Sequence, residues 1–171
     1  MNERVTIFVD GSNLYHSLQT EFGRVRLDFI KLATALCQDR TLVRTYYYNA
    51  VVRREDGEER YRNQQRFFES LRQLPYFDLR LGRLERRGNT VVEKGIDVQI
   101  AIDMLRFAYT NSYDTAILVS GDADYVPAVE AVKEAGKHVE LACLRSARSH
   151  HLRQVVDQVI PLNDIIPGCW L

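Results

Sequence analysis

The sequence predicts a doubly wound α/β fold, three layers with a mostly parallel central sheet, and three observations predict it. Runs rich in Val, Ile, Phe and Tyr alternate with helical periodicities along all 171 residues, with no internal repeat and no low-complexity linker. Two of the runs, Val5-Thr6-Ile7-Phe8-Val9 and Thr115-Ala116-Ile117-Leu118-Val119, are nearly continuous apolar stretches, as strands covered by helices on both faces must be. Each stops at a turn of small residues carrying carboxylates, Asp10-Gly11-Ser12-Asn13 and Ser120-Gly121-Asp122-Ala123-Asp124. Strand–helix alternation of this kind calls for right-handed crossovers between parallel strands.

The elements follow in order. Arg4–Asp10 reads as the first strand, and a helix over 12–21 can be capped by Ser12 or Asn13. Asp28 caps a second helix in which Phe29, Leu32, Ala33, Leu36 and Cys37 recur at helical spacing. Residues 42–52, rich in Val, Tyr and Thr, read as a strand. Asp56-Gly57 turns the chain into a weakly amphipathic helix with Tyr61, Gln65, Phe68 and Leu71 or Arg72 on its stripe, ended near residue 74 by Pro75. Residues 77–85 alternate as a half-buried strand, and Gly88-Asn89 suits a hairpin into 90–93. The helix Ile96–Tyr109 takes Val98, Ile102, Leu105 and Phe107 as its apolar positions. Thr115–Val119 is the next strand, 125–135 a helix stopped by Gly136, and 138–144 another strand. A helix over 149–157 and a short Val159-Ile160 strand close the pattern.

Length and composition fit one domain over 1–171 with an ordinary core. There are 23 basic and 23 acidic residues, so no global field draws the molecule to nucleic acid or membrane, and any such attraction must be local. Cys37, Cys143 and Cys169 lack CxxC or Cys/His spacing and read as reduced, buried thiols. No charged-then-apolar leader precedes Val5, and the apolar runs fall far short of a membrane span. The expectation is a soluble, cytoplasmic protein.

The chemistry lies in the strand-end acids. In a parallel sheet the carboxyl ends of neighbouring strands open onto one crevice, so Asp10 and Asp122, with Asp124, can share a site. Asp97 opens the helix that follows Lys94-Gly95-Ile96, and Asn13 adds a neutral oxygen one helical turn beyond Asp10. Asp103 lies about 240° round the helix from Asp97 and reads as a neighbour or cap partner rather than a fellow ligand. This oxygen-only set suits a hard divalent cation, Mg²⁺ or Mn²⁺, able to polarise a phosphodiester and lower the pKa of a coordinated water. On the residues alone, the other reading is that these acids cap helices and close turns.

Three segments together resemble a known family. Phe8-Val9-Asp10-Gly11-Ser12-Asn13-Leu14, then Lys94-Gly95-Ile96-Asp97-Val98 with Ala101-Ile102-Asp103, and Leu118-Val119-Ser120-Gly121-Asp122-Ala123-Asp124-Tyr125 are similar to the signatures of NYN domains in the PIN-like nuclease superfamily, most of all the bacterial LabA-like branch. The resemblance runs from about residue 4 to residue 162. It implies a Rossmann-like PIN fold and Mg²⁺- or Mn²⁺-dependent cleavage of RNA phosphodiesters. Carried over by position, it implies an acidic metal centre of Asp10, Asp97 and Asp122 supported by Asn13, Ser120 and Asp124. Tyr125 stands where the family often has Phe, a difference expected to matter little.

A neutral protein that binds RNA needs a local basic patch. One candidate is the hairpin with Arg80, Arg83, Arg86, Arg87 and Lys94; the other is the acid-free stretch from Cys143 to Arg153. The second carries Arg145 and Arg148, with Ser146, Ser149 and the first N–H groups of the following helix placed to hold a phosphate. The expected substrate contacts are Arg145, Arg148, Ser146 and Lys94, on single-stranded RNA. Tyr46, Tyr47 and Tyr48 invite a base-stacking reading, but alternation along a strand turns at least one of them away, and core packing with satisfied hydroxyls is the better expectation. His16 can face the crevice but reads more readily as a helix-surface residue. The leading expectation is a metal-dependent ribonuclease, a homo-oligomer or partner-binding protein remaining possible. The rival is a catalytically weak or silent scaffold that regulates through RNA or protein binding. A nucleotide-cofactor role is disfavoured by the absence of GxGxxG and GxxxxGK[ST].

Overall fold

A seven-stranded sheet is built outward from β1 (Arg4–Asp10) in the order β4-β3-β2-β1-β5-β6-β7. The computed structural model describes residues 2–171, apart from the side chains of 83–85 and 91–94. From β1 the chain passes through α1 (Gly11–Phe22) and α2 (Phe29–Cys37) to β2 (Thr41–Val51), then through α3 (Glu58–Arg72) to β3 (Phe77–Arg87). A hairpin adds β4 (Thr90–Lys94) antiparallel at the edge, and every other pairing in the sheet is parallel. Helix α4 (Ile96–Tyr109) then carries the chain back to β5 (Thr115–Val119), on the far side of β1. From there α5 (Val126–Glu134), β6 (His138–Cys143), α6 (His150–Val155) and β7 (Gln158–Pro161) continue outward. The direction of winding therefore reverses between β1 and β5, where an open α/β sheet forms its binding crevice.

Alternation along β1 divides the core. Val5, Ile7 and Val9 pack on one face with Leu14 and Leu18 of α1, Leu32 and Leu36 of α2, and Phe68 and Leu71 of α3. Phe8 packs on the other with Ile100 and Met104 of α4, Val129 and Val132 of α5, and Leu152 of α6. The three-layer arrangement expected from the sequence is thus present, and all three cysteines are free and buried. Among the described residues no helix is long and apolar enough to cross a membrane.

Several local expectations change. Helix α1 starts at Gly11, not Ser12, because the carboxylate of Asp10 itself caps it by accepting the Asn13 N–H at 3.2 Å. The chain before α5 forms a short 3₁₀ turn, Ala123–Tyr125, capped by Asp122. Helix α6 stops at Val155, since the chain is drawn into β7 beside β6. On α4 the buried positions are Ile96, Ile100, Asp103, Met104 and Ala108, whereas Val98 and Ile102 face outward. Both sides of this helix are apolar, and only tertiary packing selects which is covered.

Candidate active site

The site begins with two strands that end side by side. Val9 pairs with Val119 in the sheet, so Asp10 and Ser120 emerge together from β1 and β5. Asp10 is buried, at 7% exposure, and its Oδ2 accepts the Tyr125 hydroxyl at 2.9 Å and the Ser120 hydroxyl at 3.3 Å. Asn13 Oδ1 accepts the Gly121 N–H at 3.0 Å, which ties the first turn of α1 to the loop after β5. Within that loop the Asp122 N–H donates to Ser120 Oγ at 3.2 Å and the Asp124 N–H to Asp122 Oδ1 at 2.9 Å. Of the predicted supporting residues, Asn13 and Ser120 hold the two motifs together, while the Asp124 side chain lies exposed on the turn.

The glycines in both motifs are required by close approach. A Cβ on Gly11 would meet the Tyr48 carbonyl at 2.6 Å and crowd the Tyr47 ring; one on Gly121 would run into the Ala147 carbonyl.

Asp10 and Asp122 line one cleft of about 380 Å³, with Ser12, Asn13, His16, Ser17 and Thr20 along α1 and Ser146-Ala147 beside them. His16 therefore faces the crevice. Asp97, exposed at the first turn of α4, does not line this cleft. Its charge nevertheless bears on the site: burial pushes the Tyr125 hydroxyl far above the usual phenol range, and the charges of Asp10, Asp122 and Asp97 push it further. Tyr125 stays protonated, a fixed donor to Asp10. Its hydroxyl is the functional group that sequence reasoning undervalued. Where the family often has Phe, Tyr125 adds a hydrogen bond to Asp10 Oδ2 that a Phe would lack.

Among the described residues no three carboxylate, thiolate or imidazole side chains stand close enough to share one ion. What Asp10 and Asp122 offer, with Asn13 and the α1 hydroxyls, is an oxygen-only wall open to water. That donor chemistry fits a hydrated Mg²⁺ or Mn²⁺, which uses one or two carboxylates and keeps several waters. Asp103 belongs elsewhere. It is buried, accepts the Tyr48 hydroxyl and Arg106, each at 2.8 Å, and lies 4.0 Å from Arg80.

The expected substrate contacts are placed unevenly. Arg145 and Arg148 are exposed, and neither forms an ion pair among the described residues. Arg145 opens and Arg148 follows the 3₁₀ turn Arg145–Ala147, whose Ser146 and Ala147 line the cleft. The Ser146 N–H, however, donates to Glu21 Oε1 at 2.6 Å, and Ser149 Oγ caps α6 by accepting the Leu152 N–H. These groups are already engaged within the protein, and the Ser146 hydroxyl donates to the Ser17 carbonyl at 3.5 Å, so an anion here would meet arginine side chains rather than backbone donors. The side chain of Lys94 lies outside the described residues. On the hairpin, Arg86 is paired with Asp56 at 2.6 Å and Arg80 with Asp78 at 3.3 Å. The three tyrosines divide as alternation requires: Tyr47 packs with α1 to α3, while Tyr46 and Tyr48 face α4.

Comparison with known proteins agrees with this architecture. The chain is 28% identical over 168 residues to Low amplitude and bright protein LabA of Synechococcus elongatus, covering 95% of this chain and 85% of that one. It is 32% identical over 69 residues to an uncharacterized protein of Methanocaldococcus jannaschii, a match spanning 40% of this chain and 29% of the other. The crystal structure of a Vibrio parahaemolyticus protein of unknown function superposes with a TM-score of 0.77 at 24% identity, covering 96% of each chain, a likeness of fold. The NYN domain model matches residues 4–163, and the chain belongs to the NYN domain family of PIN-like proteins.

Proposed function

We propose that the protein hydrolyses phosphodiester bonds of single-stranded RNA with Mg²⁺ or Mn²⁺ held at Asp10 and Asp122, and with Asp97 contributing charge from outside the cleft. The observation that carries this reading is the meeting of two strand-end carboxylates in one polar cleft at the reversal point of the sheet. A divalent ion there would supply Lewis acidity to the phosphodiester and stabilise charge developing on the leaving oxygen.

The protein's own groups do the positioning. Tyr125 and Ser120 aim one oxygen of Asp10, and its helix-capping role aims the other. Asn13 keeps α1 and the Asp122 loop in register. Arg145 and Arg148, with Lys94 from the hairpin, would neutralise RNA phosphates, a role the neutral molecule as a whole cannot fill. The cleft holds hydroxyls, carboxylates and an imidazole and no aromatic wall, which suits a solvated sugar–phosphate chain better than a stacked base. The free, buried thiols accord with a reducing cytoplasm.

A second reading, a weakly active scaffold that binds RNA or a protein, draws support from the open acid set, since among the described residues no three ligating groups converge. Incubating the protein with labelled single-stranded RNA, duplex RNA and DNA, each with Mn²⁺, Mg²⁺ or chelator, separates the two. Divalent-dependent cleavage of single-stranded RNA is the expected result. Binding without cleavage under every condition would leave the scaffold.

A further inference from the structure

The outward side of α4 has no role in the reading above. The inner side, centred on Ile100 and Met104, is buried against the sheet and α5. At about 100° per residue, Val98, Ile102, Leu105 and Tyr109 form a second apolar stripe turned about 150° from the first. Val98 is 56% exposed, Ile102 54% and Tyr109 74%, with Leu105 between them half buried where its inner side packs on the core beneath. Three of the seven large hydrophobic side chains exposed among the described residues thus sit on one face of one helix. A surface helix ordinarily presents charge there, and a contiguous apolar face marks a contact surface.

We propose that this face is a self-association surface, on which a second copy of the chain packs its own α4 antiparallel across a two-fold axis. The stripe positions are spaced by four, three and four residues, a pattern that reads the same in both directions. An antiparallel copy therefore lays Ile102 against Leu105 and Val98 against Tyr109, each pair occurring twice, as an isologous interface requires. Charge agrees. The chain carries 23 positive and 23 negative residues, so two copies meet without net repulsion. Arg106, at the edge of the stripe, is already matched by Asp103 of its own chain at 2.8 Å, so closing the face buries no unmatched charge. Asp97 points about 110° away from the stripe and stays outside the contact. One helix stripe supplies less than the roughly 800 Å² per partner of a stable complex, so the dimer is weak and concentration-dependent.

Sedimentation velocity on the full chain, from low concentration to about 100 µM, tests this. Wild type is expected to shift from monomer to dimer, and Ile102→Glu or Tyr109→Lys to weaken association at least tenfold with an unchanged melting temperature. Because Cys37, Cys143 and Cys169 are buried, Ile102→Cys supplies the reactive thiol for a short bis-maleimide. It should cross-link copies in solution, whereas Gln154→Cys, exposed on α6, should not. The cross-link decides the matter if the charged variants fail to fold. A wild type that stays monomeric throughout, whether the face is bare or taken by a different protein, overturns the proposal. So does a dimer that survives Ile102→Glu, or equal cross-linking at both cysteines.

Discussion

At the scale of single residues, Asp10 performs two tasks with one carboxylate. It caps α1 and forms the floor of the cleft, so its shape matters to the fold and its charge to the chemistry. Asp10→Asn and Asp122→Asn keep the shape and remove the charge. Each is expected to lower RNA cleavage by about a hundredfold or more, the scale of a lost ligand or transition-state contact, while the circular dichroism spectrum stays native. Asp103→Asn serves as the contrast: cleavage should change by less than about threefold, with a loss of about 1–3 kcal/mol in urea unfolding from weakening a buried charged network. An equally severe catalytic loss at Asp103 would move the centre along α4. Tyr125→Phe deletes a buried hydroxyl whose acceptor is the Asp10 carboxylate at 2.9 Å. It should cost about 2 kcal/mol of stability, the worth of a hydrogen bond to a charged group, and leave cleavage within about tenfold of wild type. Unchanged urea midpoints would mean that Asp10 finds another donor at no cost.

At the scale of elements, short tethers decide how the loops sit on the sheet. The Arg145–Ala147 turn is pinned to α1 through Glu21, which also accepts the Asn163 side chain at 2.6 Å, and it packs against Gly121, where no side chain fits. The two arginines are thereby presented beside the cleft on a fixed wall. Replacing both Arg145 and Arg148 by Ala should weaken binding of single-stranded RNA and flatten its log–log salt dependence by about 0.7 per lost phosphate contact, read by fluorescence anisotropy in chelator. A wild-type slope in the double variant would make the turn a solvated edge. At the other end of the sheet, Arg4 opens β1 and grips Asp114 just before β5, with Nη2 to Oδ1 at 2.9 Å and the Arg4 N–H to Oδ2 at 2.8 Å. These hydrogen bonds lower the Asp114 carboxyl from 3.8 to about 2. A carboxyl depressed in the folded state contributes stability that is complete above its unfolded value and lost as the pH falls through the folded one. The stability gap between wild type and Asp114→Asn in urea should therefore be constant above about pH 5 and close as the pH drops toward 2. With both side chains more than a third exposed, the gap is small. A gap that persists at the acid end would assign it to packing.

At the scale of the whole molecule, the reversal of winding at β1 and β5 brings together motifs more than a hundred residues apart. A divalent ion that binds only this assembled cleft stabilises the native chain by about 2.7 kcal/mol at a hundredfold excess over its dissociation constant. For a chain of this length that corresponds to a rise of about 5–10 °C in melting temperature. Thermal melts in rising Mn²⁺ against a matched ionic-strength control should show it in wild type, and Asp122→Asn should lose most of the increment. Equal increments in the two proteins would place the ion elsewhere.

The order of strands and helices, the two acid-bearing strand ends, the Asp28 cap and the hairpin at Gly88-Asn89 were all legible in the sequence, because each depends on local periodicity or turn chemistry. Asp10 and Asp122 could be paired in advance for the same reason, since parallel strands share the end at which their acids emerge. Other features had to wait for the fold. Asp10 rather than Ser12 or Asn13 caps α1, Tyr125 reaches Asp10 across 115 residues, and Glu21 of α1 takes the Ser146 N–H. Nor could periodicity select which side of α4 is covered, since Ile96-Ile100-Met104 and Val98-Ile102-Tyr109 carry equal apolar signals. Contacts between distant segments depend on crossover geometry and on which helix lands beside which strand. A pattern of neighbours along the chain carries no record of that choice, and so tertiary packing alone decided it.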